Sequence, residues 1–155
     1  MLREKLRNKK GFTLIEIIVV IVILAVLMAV AVPSVMSYMN EGQKAKYEAV
    51  ARTVLINAQT EYAKEVANGK SIADATKAAQ DATDSNSTGS KHSYGEGVTV
   101  DSTKITTTPE GATVAENTDV ASVTCNITID KKMKTGVKIT PNKKVEVPDA
   151  TSDDQ

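Results

Sequence analysis

Residues 11–32 read GFTLIEIIVVIVILAVLMAVAV, and from Ile17 to Val32 every side chain is apolar. The 21 residues from Phe12 to Val32 would make about 31 Å of helix, which matches the hydrocarbon thickness of a bilayer. One carboxylate, Glu16, interrupts this stretch near its start. A charge at hydrocarbon depth costs a few kcal/mol on insertion scales, so Glu16 needs a partner. A positive charge on another copy of the same helix would meet that need.

The residues before Gly11 are basic: Arg3, Lys5, Arg7, Lys9 and Lys10 stand against Glu4 alone. Of the chain's 19 basic and 19 acidic side chains, 14 and 18 remain without the first ten residues, a net of −4. That balance argues against bulk electrostatic binding of nucleic acid by the rest of the chain. The positive-inside rule places residues 1–10 in the cytoplasm and everything after Val35 outside. Three readings of the segment follow: a single-pass anchor, a discarded secretory signal ending at the small residues Ala29-Val30-Ala31, or a helix that is processed and kept. A discarded signal has no reason to carry Glu16, and its apolar run would be unusually long.

Gly11-Phe12-Thr13-Leu14-Ile15-Glu16, after a short basic leader and before a long apolar helix, closely resembles the class III signal of type IV pilins and pseudopilins. The likeness covers roughly residues 5–45. It implies a prepilin peptidase that cuts after Gly11 on the cytoplasmic side, N-methylation of the new terminus Phe12, and retention of the helix. It also implies that Glu16 of one subunit meets the Phe12 ammonium of its neighbour inside an apolar bundle, where low dielectric strengthens the pairing. The implied product is a structural subunit of a type IV pilus, held in the cytoplasmic membrane before assembly and in a cell-surface homopolymer afterwards. The alternatives within the same resemblance are a pseudopilin of a secretion or DNA-uptake system and a minor tip pilin. Adhesion, twitching motility, aggregation and DNA uptake all stay open as the filament's task. Many pilins close a C-terminal loop with two cysteines; Cys125 is the only one here, so that loop is absent.

Beyond the apolar run, Pro33 and Gly42 are points where a helix would bend or weaken. Tyr47, Val50, Val54, Leu55, Ala58, Tyr62 and Val66 recur at three- and four-residue spacing. This stripe predicts that one helix runs from about residue 12 to 68, with Glu41, Lys44, Glu48, Arg52, Glu61, Lys64 and Glu65 on its polar side. Asn68-Gly69 reads as its stop. Ser71 and Asp74 have capping-box spacing and open a short alanine-rich helix to about Thr83. Residues 84–97, rich in Ser, Gly, Asn and Thr, read as a flexible loop. The period then becomes two. Val123, Cys125, Ile127 and Ile129 mark a strand with one buried face. Val137 and Ile139 continue after a turn at residues 132–136, and Val145 with Val147 after Pro141-Asn142. Weaker strand candidates lie at 98–101, 104–108 and 112–115, with a turn at 109–111.

No catalytic group, cofactor site or metal spacing is legible, so an enzyme is not expected. His92 reads as a surface-loop residue and Cys125 as a buried, inert thiol. Asn86-Ser87-Thr88 and Asn126-Ile127-Thr128 fit the glycosylation acceptor pattern. Lys131, Lys132, Lys134, Lys138, Lys143 and Lys144 lie between Asp130 and Glu146 with no acid among them. They either protect a strand edge or form a positive patch for DNA, an anionic surface or an acidic neighbour.

The resulting expectation is an α+β chain: a long N-terminal helix, half membrane and half amphipathic, packed against a small antiparallel sheet. Its parts are a leader at 1–11, a membrane and filament-core helix at 12–35, and the head's share of the helix at 36–70. A globular remainder at 71–148 and an acidic tail at 149–155 complete it.

Overall fold

A computed structural model describes residues 11–108, 119–142 and 145–148. Helix α1 spans Leu14–Ala67 and helix α2 spans Ile72–Thr83. Strands β1 (Val98–Thr108), β2 (Asp119–Ile129) and β3 (Lys132–Ile139) form an antiparallel sheet in the order β1-β2-β3. The chain divides into two compact units, Met1–Gly42 and Gln43–Gln155, and α1 runs through the boundary. The α+β class read from the sequence is correct.

In the first unit none of the described residues covers α1. Every residue from Phe12 to Met39 is exposed, and an 18-residue window of α1 reaches a mean hydropathy of 3.3 with none of it buried. So large an apolar surface is untenable in water and suits a bilayer or other helices. The helix continues through Pro33, which has no N–H to give to the ladder.

In the second unit the alternating pattern becomes a core. Val100 and Ile105 from β1, Val123, Cys125 and Ile127 from β2, and Val137 and Ile139 from β3 are buried with Tyr47, Ala51, Val54, Leu55, Ala58 and Tyr62 of α1. Ala75 and Ala79 bring α2 into the same cluster. Most of these side chains are small, so the core is light, as the composition implies. Tyr47 stitches helix to sheet, its hydroxyl donating to the Lys132 carbonyl at 2.7 Å.

The helix ends are closed by local chemistry. Gly69, at φ +79°, takes the left-handed conformation that ends α1. Its N–H reaches the Val66 carbonyl at 2.9 Å and Lys70 N–H reaches Glu65 at 3.1 Å, the two bonds of a Schellman motif. Ser71 caps α2, its hydroxyl oxygen accepting from Asp74 N–H at 3.2 Å, as its spacing predicted.

Several expectations need correction. Glu61 and Glu65, placed on the polar side of α1, are buried, because each has a lysine partner from beyond the helix. The turn expected at 132–136 lies at Asp130-Lys131, both with positive φ (50° and 68°), a two-residue hairpin connection. Gly136 spends its positive φ on a bulge inside β3 instead. The candidates at 98–101 and 104–108 are one strand with a register shift between Asp101 and Lys104, where Ser102 has φ 53°. Val145 and Val147 flank a single bridge, Lys138 to Glu146, rather than forming a strand. The segment 84–97 is tied down: Ser85 N–H bonds to the Val100 carbonyl, Lys91 N–H to Ala82, and Tyr94 hydroxyl to Thr83. The turn at 109–111 and the strand at 112–115 lie outside the described residues, as do residues 1–10 of the leader and the tail.

Candidate processing and assembly site

Gly11, Phe12 and Thr13 precede α1 in non-helical conformation and are exposed, so the Gly11–Phe12 bond stands clear of regular structure. A Cβ at Gly11 would meet nothing within 4 Å. Phe12 is 78% exposed.

Thr13 is the N-cap of α1. Its hydroxyl accepts from Glu16 N–H at 3.3 Å, and the Glu16 carboxylate accepts from Thr13 N–H at 3.4 Å. This reciprocal pair is a capping box, which satisfies two of the donors that a helix start leaves free. The carboxylate also sits at the positive end of the helix dipole, where an anion is favoured. The sequence reading found the need for a partner of Glu16 but missed Thr13. Its signal was present, because Thr13-Leu14-Ile15-Glu16 has the same spacing that was used for Ser71 and Asp74. The second oxygen of Glu16 keeps acceptor capacity for a partner outside the chain.

The head carries a second charged cluster. The Lys91 ammonium donates to Glu61 Oε2 at 2.8 Å, and that bond holds the Glu61 carboxyl below its ordinary range despite burial. His92 Nε2 lies 3.7 Å from Glu61 Oε1, so His92 packs against the helix rather than standing free in the loop. Lys70 pairs with Glu65 at 2.7 Å and lowers that carboxyl likewise. Burial pushes the Cys125 thiol up to about 12, which suppresses its thiolate. Burial also raises Tyr94 to about 12, against the opposing effect of its hydrogen bond with Asn57. Among the described residues, no group of three or more His, Cys, Asp or Glu is arranged for a metal ion.

Lys131 occupies the β2–β3 turn and is exposed. Lys132 and Lys134 pair with Ile129 and Ile127, on the sheet face that carries the core. Lys138 pairs with Thr124 on the opposite face. The bulge between these two groups switches their side; Lys143 and Lys144 lie outside the described residues. The Asn126 side chain is held on both sides, donating to Asp101 Oδ1 at 3.1 Å and accepting from Gly136 N–H at 3.0 Å. Asn86, by contrast, is exposed.

Residues 6–32 match the family model described as the prokaryotic N-terminal methylation motif. No curated protein and no solved structure matches the chain. The N-terminus therefore carries the class III signal of type IV pilins, as the residues around Gly11 indicated. The motif supports a type IV pilin- or pseudopilin-like protein, with a membrane helix and assembly with other subunits in keeping.

Proposed function

We propose that the chain is a prepilin whose product polymerises into a type IV pilus and has no enzymatic role of its own. A prepilin peptidase cuts after Gly11, Phe12 becomes the methylated terminus, and the helix beginning there passes from lipid into the filament core. The observation that carries this reading is the bare helix itself: Phe12–Met39 is exposed throughout, carries one carboxylate at its first turn, and follows a clear Gly11–Phe12 bond. Lipid already dehydrates this surface before assembly, so close packing and the pairing of Glu16 with a neighbour's Phe12 ammonium matter more than hydrophobic transfer. In a dry bundle that ion pair is strong, and an unpaired Glu16 is costly.

Intact mass and N-terminal sequence of the mature protein test the proposal. A chain starting at methylated Phe12 is expected. A chain starting at Val32, or one that keeps Met1–Gly11, would overturn it. Antibody labelling along extended surface filaments then separates a major pilin from a tip-located or periplasmic subunit.

A further inference from the structure

Helix α2 ends at Thr83, and the chain reaches β1 through residues 84–97. Two anchors fix the first half of this connection. Ser85 N–H donates to the Val100 carbonyl at 2.6 Å while its hydroxyl accepts from Val100 N–H at 3.0 Å, and Lys91 N–H donates to the Ala82 carbonyl at 3.0 Å. Between the anchors residues 86–90 read Asn-Ser-Thr-Gly-Ser, and Asn86, Thr88, Gly89 and Ser90 are exposed. The bonds of this tip among the described residues are local. Asn86 N–H reaches Asp84 Oδ1 at 2.9 Å, and Ser87 N–H reaches the Asp84 carbonyl at 3.3 Å. Gly89 N–H reaches the Ser87 hydroxyl at 3.3 Å. A tip held by local bonds can open while the core stays folded.

The chain holds two Asn-x-Ser/Thr acceptor sequences, at Asn86 and Asn126, and the fold separates them. Asn126 lies in the middle strand, with its side chain bonded to Asp101 and to Gly136 N–H. Thr128, the hydroxyl residue of the same acceptor sequence, pairs with Thr99 on one side and Met133 on the other. Presenting Asn126 to an enzyme would mean opening the sheet on both sides of β2. Presenting Asn86 asks only that the 86–90 tip move.

We propose that Asn86 is an N-glycosylation site, recognised together with the Thr88 hydroxyl. The donor class is a lipid-linked glycosyl pyrophosphate on the outer side of the membrane. Asn86 Nδ2 forms a bond to the anomeric carbon, and the bond from that carbon to the pyrophosphate oxygen breaks. The lipid pyrophosphate leaves with the electron pair, and one Nδ2 proton passes to a base of the transferase. The attached glycan, bulky and hydrated, shields the tip and the adjoining end of α2. The inference goes beyond filament assembly and rests only on the head's lying outside the cytoplasm.

The test takes the protein from its native host. Protease added to spheroplasts first checks that the head lies outside; a protected head refutes that placement and the proposal with it. Trypsin then yields the peptide 78–91, in which Asn86 is the single asparagine, and the peptide 105–131, which holds Asn126. Electron-transfer fragmentation is expected to put a sugar mass on Asn86 in most copies of the first peptide and none on Asn126 in the second. Asn86→Gln and Thr88→Val should each remove that mass, and Thr88→Ser should keep it. An unmodified 78–91 peptide from an outward head would overturn the proposal and leave the placement standing. So would sugar mapped to Ser85, Ser87, Thr88 or Ser90, which would be linked through a hydroxyl, or a mass on Asn86 that survives Thr88→Val.

Discussion

Thr13 and Glu16 bind each other reciprocally across the first turn of α1, hydroxyl to N–H at 3.3 Å and carboxylate to N–H at 3.4 Å. Glu16 thus serves its own helix before any neighbour arrives. Its proposed role in a filament must be separated from its role as a cap, and two substitutions do so.

Glu16→Gln retains a side chain able to complete the capping box but removes the charge, whereas Glu16→Ala removes both. Both variants should insert in the membrane and be cleaved, and both should lose filaments. Immunoblots of sheared filaments against whole cells give the readout. Wild-type filament yield from Glu16→Gln would show that capping, not charge, is what assembly needs.

Gly11→Leu should block processing without disturbing the fold, because a Cβ there meets no atom within 4 Å. The expected product keeps its leader and runs heavier on a gel by the mass of residues 1–11. Full-rate cleavage would remove Gly11 from the recognition signal.

Glu61 carries a pH dependence of known sign. Its folded carboxyl is held below the ordinary value of 4.5 by Lys91, so its stabilising contribution is present above that value and is lost as pH falls through the lowered one. Lys91→Gln should lower the melting temperature near neutral pH by roughly 3–6 °C, a range discounted because the lysine is half-exposed. The gap should close at acid pH. Thermal unfolding of detergent-solubilised full-length protein at several pH values measures it, and a gap that widens in acid would contradict the assignment.

Asn126→Ala should destabilise the head by about 1–2 kcal/mol, because it removes the bonds to Asp101 and Gly136 that span all three strands. Gly136→Ala should cost about 1 kcal/mol, from forcing a Cβ into positive φ. Urea unfolding of both variants gives the values. A neutral Gly136→Ala would mean that the bulge relaxes.

Local periodicity carried most of this architecture. The α1 stripe from Tyr47 to Val66 and the β2 alternation from Val123 to Ile129 each reflect a single surface that must be buried, and both are visible in one pass along the chain. The misread positions depended on distant partners. Glu61 is buried because Lys91, thirty residues on, neutralises it, and no periodicity encodes that pairing. The hairpin turn was misplaced because Asp130 and Lys131 adopt positive φ without glycine, while the glycine that suggested a turn, Gly136, serves a bulge. The N-terminal methylation motif was legible from the register of Gly11, Phe12 and Glu16. Thr13 was legible too, through a spacing already in use elsewhere in the chain.

The bulge at Gly136 has a bearing on how this surface can vary over time. Because it shifts parity midway along β3, Lys132 and Lys134 share the core-bearing face with Val137 and Ile139 although an odd number of positions separates them. Deleting one residue there would make the β2–β3 pairing regular while Lys132 and Lys134 stay opposite Ile129 and Ile127. A single codon lost there could thus straighten β3 without turning over either its lysine tip or its buried end.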